Sequence, residues 1–185
     1  MPLTTVSSLR IAHDPQEADR LFEVALNQVE AVADSQFSGR NFTIRDLTAA
    51  DFPNQSEYEW KETSGGIDAW ATQTLANGTA IADDTVICIY GITFPTITTT
   101  ILPIITTLRF TVGASLRAQL DLHEILTFQS GNGVISAKKG FLVTPIIITS
   151  QQTLKIEEWS VVATTAYEMH FHGFVAEIQG KTIEA

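Results

Sequence analysis

The 185-residue sequence predicts a mainly β protein, a β-sandwich or jelly-roll-like domain with an N-terminal amphipathic α-helix. Apolar residues recur at helical spacing near the N-terminus, and from Ile81 onward β-branched stretches are separated at regular intervals by Gly, Pro and Asn. Hydrophobic residues make up 44% of the chain and charged residues 17%, which excludes an intrinsically disordered chain. We therefore expect an N-terminal arm and helix over residues 1–40 and a β-sandwich or jelly-roll domain over residues 41–185.

The first predicted element is a helix that begins at Pro15. Asp14 is a suitable N-cap, Glu17 stands three residues after it, and Gly39 supplies a stop. Apolar side chains then repeat every three or four residues along one face, which is the stripe that a helix uses to pack against a sheet. A second hypothesis is that this face binds a partner or a neighbouring protomer. The candidate interface residues on the helix are Leu21, Phe22, Leu26 and Val29.

Residues 41–80 predict loops and edge strands, with a short strand over residues 42–47 and a weak strand near Trp70 and Leu75. Residues 64–66 (Ser-Gly-Gly) and 77–78 (Asn-Gly) are turn signals. The pattern becomes stronger after Ile81, where some seven or eight strands are expected in all. The clearest later strands cover residues 85–90, 92–102, 104–112, 141–148, 153–159 and 168–177. Residues 116–128 fit either strand-turn-strand or a short helix.

The charge balance is acidic, with 21 Asp and Glu against 11 Lys and Arg and a net charge of −10. A phosphate backbone would be repelled, so nucleic acid is not an expected partner. No apolar run approaches the roughly 20 residues of a membrane span, and no secretory signal is present, so we expect a protein made in the cytoplasm without membrane insertion. The single cysteine, Cys88, lies in an apolar strand, where a buried structural thiol is expected.

One motif resembles a metal site. His170 and His172 with Glu177 match the His-x-His-x4-Glu spacing of the first cupin motif, and alternation places both imidazoles on one face of the last strand. A cupin also needs a second His-bearing motif further along the chain, and no histidine follows Glu177. We therefore expect the two histidines to line a partly buried face or an intersubunit contact. A third ligand from His123 or from a neighbouring copy is the alternative.

The remaining chemical motifs are weak. The acidic pairs at residues 83–84 and 157–158 point to opposite faces of a strand, so neither converges on one substrate atom, and solvated turn or edge charges explain them better. Trp60, Trp70 and Trp159 are expected in the core or at its rim, with stacking on sugar rings as the alternative. The sequence thus predicts no catalytic, cofactor-binding or metal-binding residues, and a binding or assembly module instead of an enzyme.

Two segments carry a family resemblance. Residues 41–52 (NFTIRDLTAADF), residues 173–183 (GFVAEIQGKTI), the N-terminal helix and the Thr/Ile-rich sandwich together resemble capsid cement, or decoration, proteins of tailed bacteriophages. The resemblance implies a jelly-roll-like structural virion protein, often a homotrimer, that binds the major capsid protein on the outside of the head and stabilises contacts between its subunits. The apolar, weakly charged strands of this chain between residues 85 and 112 also favour a closed oligomer.

Two other functions fit the same sequence. One is a receptor- or carbohydrate-binding β-sandwich module of a tail or adhesin, and the other is a cupin-like metal-binding protein. Glycan binding would favour the first, and tightly bound stoichiometric metal would favour the second.

Overall fold

The computed structural model describes residues 9–11, 15–54, 60–93, 104–122, 125 and 139–179, with the backbone alone for residues 9–11. One helix, α1 (Pro15–Phe37), is followed by a single 3-10 turn at Ala49–Asp51. The strands of this part of the chain are β1 (Leu9–Ile11), β2 (Phe42–Asp46), β3 (Lys61–Thr63), β4 (Ala69–Ala80), β5 (Thr85–Thr93), β6 (Ile105–Val112), β7 (Ser115–Asp121), β8 (Lys139–Ile148), β9 (Thr153–Ser160), β10 (Ala166–Glu168) and β11 (His170–Ile178).

Two large antiparallel sheets organise these strands. One has the order β1-β8-β5-β11-β2 and the other the order β4-β9-β6-β7, while β3 and β10 form a small separate pair. When the three-residue strands β1, β3 and β10 are set aside, eight strands remain. The first of these pairs with the last, the second with the seventh, the third with the sixth and the fourth with the fifth. This is the pairing of a jelly roll, and the predicted fold class is confirmed.

The structure has three layers, with α1 outside the five-stranded sheet and the four-stranded sheet on its other side. The core between the two sheets contains Ile87, Ile89, Leu108, Phe110, Ile156 and Val175, among others. A second core lies between α1 and the opposite face of the five-stranded sheet, and it contains Leu21, Val29, Phe37, Cys88, Tyr90 and Phe174. The five-stranded sheet is therefore covered on both faces.

This central position explains the apolar run of β5. Its residues from Thr85 to Ile92 are all buried, because alternate side chains enter the two cores. A register shift near Gly91 changes which side chains face which core, so that Ile92 joins Ile87 and Ile89 between the sheets. The apolar surface of β5, which is part of what favoured a closed oligomer, is thus buried within one chain. The homotrimer stays a prediction.

Helix α1 begins at Pro15, as predicted, whereas its predicted N-cap Asp14 lies outside the described residues. Gly39 follows the helix with a φ of +78°, a conformation that glycine adopts without strain, so the predicted stop is confirmed. The stripe packs against β5, β8 and β11. Residues before and after position 40 both contribute to the core between α1 and the five-stranded sheet. The domain boundary predicted at residue 40 stays a prediction.

Several local predictions differ from the structure. Asn77 and Gly78 lie inside β4, where shifts in the pairing with β9 accommodate the positive φ of Gly78, so they do not end a strand. Pro145 lies inside β8, and the pairing of β8 with β5 shifts nearby. Residues 115–121 form β7, which favours the strand interpretation of that segment. Most of the predicted strand at 92–102 lies outside the described residues.

Candidate functional site

The predicted interface on α1 lies against the chain's own sheet. Leu21 is 8% exposed and Val29 is fully buried, so neither side chain is available to a partner, and this part of the interface hypothesis is wrong. Phe22 is 39% exposed, but the edge of its ring meets the rings of Tyr90 and Phe174, with centroid distances of 5.8 and 4.9 Å. Leu26 is half-buried beside the same core. The first hypothesis for the stripe, packing on the chain's own sheet, is confirmed.

The two predicted histidines lie beyond the region that α1 covers. His170 is partly exposed, with its ring 6.0 Å from that of Trp60 and its Nε2 4.0 Å from a Glu168 carboxylate oxygen. His172 is half-buried, and its Nε2 lies 2.7 Å from the Thr93 hydroxyl. Burial, together with the nearby positive charge of Lys139 and the neighbouring His170, lowers the pKa of His172 to about 4. The imidazole of His172 is therefore uncharged at neutral pH.

The third position of the cupin-like spacing has a different role. The Glu177 carboxylate accepts a hydrogen bond of 3.0 Å from Arg45 Nε, and Arg45 also pairs with Asp51 at 2.5 Å. This ion-pair network joins β11 to β2, so Glu177 is engaged away from the histidines. Within the described residues, no three His, Cys, Asp or Glu side chains lie together as a metal site, and His123 falls outside this part of the chain.

A buried polar network connects the small β3–β10 pair to the four-stranded sheet. Tyr167 donates its hydroxyl hydrogen to one Glu158 oxygen, and Gln73 donates to the Tyr167 oxygen at 2.8 Å. The other Glu158 oxygen accepts from the Ser160 hydroxyl at 3.0 Å and from the Gly65 backbone N–H at 3.1 Å. Glu158 is 1% exposed, so its interpretation as a solvated edge charge is wrong. The physical reason is that β9 is an interior strand, flanked by β4 and β6.

This network is structural in character. Burial raises the pKa of Glu158, and its hydrogen bonds with Tyr167, Ser160 and Gly65 oppose that shift only in part. A second buried carboxylate, Glu62, accepts the backbone N–H groups of Thr74 and Leu75 at 3.1 and 2.8 Å. These two carboxylates accept hydrogen bonds from backbone N–H groups and hydroxyl groups. They thereby fix how the β3–β10 pair packs against the four-stranded sheet.

The outer face of the four-stranded sheet carries a row of partly exposed side chains that we call the Trp-Arg row, formed by Trp70, Trp159 and Arg109. Trp70 on β4 and Trp159 on β9 are directly paired across strands, and their ring centroids lie 5.5 Å apart at 70°. Strict alternation on β9 places Glu158 and Ser160 inward and Trp159 outward. The Arg109 side chain extends from β6 across β9, and its guanidinium carbon lies 3.8 Å from the centre of the Trp70 ring.

Sequence reasoning weighed the tryptophans one by one and could not place them together. The signal that finds the row is strand register, because Trp70 and Trp159 share a cross-strand position. Trp60 lies elsewhere, where its ring packs against Phe52 and Phe171 at the rim of the core, as expected. The sequence analysis did not predict the Trp-Arg row as a surface. It did predict the α1 stripe as a possible interface, but the five-stranded sheet covers that stripe.

Neither protein-family models nor curated proteins contain a match to this sequence. Helix α1 lacks the apolar length that crossing a membrane requires, and it is the only α-helix among the described residues.

Proposed function

We propose that this chain is a capsid cement (decoration) protein, a structural virion protein that binds the outer surface of a phage head and stabilises contacts between major capsid subunits. The observation that carries the proposal is the Trp-Arg row on the outer face of the four-stranded sheet. Trp and Arg are enriched among the residues that dominate binding energy at protein interfaces. This is the face that the fold leaves for a partner, since α1 and the four-stranded sheet cover both faces of the other sheet.

The two segments that resemble cement proteins form one structural unit. Residues 41–52 contain β2 and residues 173–183 contain most of β11, and these strands pair along their length from Phe42 with Ile178 to Asp46 with Phe174. The Arg45 ion pairs with Asp51 and Glu177 connect the same two segments. Two of the segments that carry the resemblance are thus neighbours in the jelly roll, an architecture that viral capsid proteins share with lectins and cupins.

In this proposal the chain acts without catalysis and without a cofactor, as a homotrimer on the virion exterior after synthesis in the host cytoplasm. A rigid three-layer scaffold suits a protein that must hold neighbouring subunits in place. Its net charge of −10 keeps it from competing for the packaged nucleic acid.

A second candidate is a carbohydrate- or receptor-binding module, which the two adjacent tryptophans favour. An aromatic ring needs an open face to stack on a sugar, and Arg109 already occupies one face of Trp70. The ring of Trp159 is the remaining candidate, so the structure offers a single stacking position instead of a paired platform.

The test is binding to purified empty heads of the virus that encodes the chain, measured by co-sedimentation. We expect wild type to bind, and Trp70→Ala with Trp159→Ala to lose most of the binding while the melting temperature stays near that of wild type. Val143→Ala, which shortens a 47% exposed apolar side chain on the other sheet, is the matched control. If wild-type protein does not bind heads but binds a glycan array, the cement proposal is wrong and the carbohydrate-binding proposal is favoured.

A further inference from the structure

Arg109 is held in a fixed position on the outer face of the four-stranded sheet. Its guanidinium lies flat enough over the Trp70 ring to bring the central carbon to 3.8 Å from the ring centre. Its Nε donates a hydrogen bond of 3.2 Å to the Gln119 side chain on β7. Stacking and a side hydrogen bond together restrict a side chain that is normally free to rotate, and they reduce the entropy lost when it binds.

Within the described part of the chain, the far end of this side chain has no hydrogen-bond or ion-pair partner. Among the described residues, Nη1 and Nη2 of Arg109 make no hydrogen bond and no ion pair. Glu157 faces Arg109 across the β6–β9 pairing, but its carboxylate pairs instead with Lys155 Nζ at 2.8 Å. The acidic residue paired with Arg109 across the sheet is thus engaged by another cation, and it does not neutralise the Arg109 guanidinium.

We propose that Arg109 is the anchor of the binding surface and takes an Asp or Glu carboxylate of the partner protein in a two-point hydrogen bond. This inference rests on the proposed function and names the chemistry of the capsid subunit at the contact. A planar guanidinium matches a carboxylate with two parallel N–H···O bonds, and Lys does not reproduce this geometry. Trp70 and Trp159 border the contact and exclude water from it, which strengthens a charged pair.

A single carboxylate suits this site better than a polyanion does. The chain carries a net charge of −10, so an extended phosphate backbone would meet repulsion across the whole surface. One carboxylate beside the Trp-Arg row needs only the local charge of Arg109. We therefore assign the site to a protein side chain and not to nucleic acid.

The first experiment uses the head-binding assay with three variants. Arg109→Gln removes the charge and the two-point geometry, and we expect affinity for heads to fall about 30-fold or more. Arg109→Lys keeps the charge, and we expect it to recover only a minor part of that loss. Arg117→Gln, at an exposed arginine on the neighbouring strand β7, is the matched control and should bind like wild type. Wild-type affinity for Arg109→Gln would overturn the inference and leave the cement proposal intact.

The second experiment needs no heads. Sodium acetate is titrated into the isotopically labelled protein at constant ionic strength, with sodium chloride as reference, while the Nε–H resonance of Arg109 and the indole N–H resonances are followed by NMR. We expect acetate to shift the resonances of Arg109 and of at least one of Trp70 and Trp159, and to leave Arg117 unchanged. Equal responses at Arg109 and Arg117 would overturn the inference. If wild type fails to bind heads while acetate binds at Arg109, the cement proposal fails and the carboxylate site stands.

Discussion

The two large sheets of this protein differ in how much of their surface the chain itself covers. The five-stranded sheet is packed on both faces, by α1 and by the other sheet, so β5 is buried from Thr85 to Ile92. The four-stranded sheet alternates strictly on β9, with buried residues inward and partly exposed residues outward. The apolar stripe of the helix is therefore part of the fold, whereas a mixed aromatic and charged row on an alternating strand stays partly exposed and is the surface proposed for a partner.

The largest expected effect is a charge placed under α1. Val29→Asp would put a carboxylate into the core between the helix and the five-stranded sheet, where Val29 is fully buried among apolar side chains. We expect the free energy of unfolding to fall by about 3 kcal/mol or more, measured by urea denaturation. Asn27→Asp adds the same charge at an exposed position of the same helix and should change stability little. A Val29→Asp protein as stable as wild type would show that α1 does not cover this sheet.

The next effect is expected in the polar network behind the four-stranded sheet. Tyr167→Phe removes the hydroxyl that donates to Glu158 and accepts from Gln73, and leaves both without that partner. We expect a loss of about 1–3 kcal/mol in urea denaturation. Tyr90→Phe removes a hydroxyl from the five-stranded sheet that makes no hydrogen bond among the described residues, and it serves as the control. Equal losses in the two variants would argue against a special role for the network.

His172 should make the five-stranded side sensitive to acid. Its folded pKa of about 4 lies below the ordinary value of 6.5, so the unfolded chain takes up a proton first as the pH falls. The contribution of His172 to the free energy of unfolding is fully present above about pH 6.5 and is lost as the pH falls toward 4. For a half-buried side chain we expect a loss of about 1 kcal/mol between pH 7 and pH 5. His172→Gln should remove this part of the slope, and an unchanged slope would contradict the assignment.

Glu158, on the four-stranded sheet, should have the opposite effect on how stability depends on pH. Burial raises its folded pKa above the ordinary value of 4.5, so the folded protein keeps a proton that the unfolded chain has released. Its contribution is present below about pH 4.5 and declines as the pH rises from there. Urea denaturation of Glu158→Gln across the same pH series should lack this decline. A steeper decline in the variant than in wild type would reverse the sign of the prediction.

The smallest effect is expected on the outer face itself. Arg109→Gln loses one stacking contact and one side-chain hydrogen bond at a half-exposed position, and we expect less than about 1 kcal/mol of destabilisation. A thermal melt of this variant beside Val29→Asp compares the two sheets directly. Large destabilisation by Arg109→Gln would mean that the row supports the fold and is not a free binding surface.

Most of the fold was predictable because its signals are local. Helical spacing from Ala18 to Ala33 and the glycine at position 39 define α1, and β-branched runs define β5 and β6. What could not be predicted depends on contacts between distant residues. Glu158 resembles an edge charge until β4 and β6 are placed on either side of it, and Asn77 with Gly78 resembles a turn until the pairing with β9 is known.

The candidate surface shows the same division. Alternation predicts His170 and His172 on one face, and both are partly exposed while Phe171 between them is buried, because strand periodicity requires no partner. It could not show that Glu177 pairs with Arg45, which lies 132 positions away. Nor could it bring together Trp70, Trp159 and Arg109, which come from three strands and meet only once the sheet order is established.

The pairing of β2 with β11 has a consequence for how the protein is made. Phe42 pairs with Ile178, so the first strand of the jelly roll has no neighbour on the ribosome until the last strand has emerged. In the meantime the largely apolar β5 is exposed in the nascent chain, and long-range closure of this kind is slow. We expect the roll to close only after translation has passed residue 178, and chaperones that shield β5 to raise the yield of folded protein.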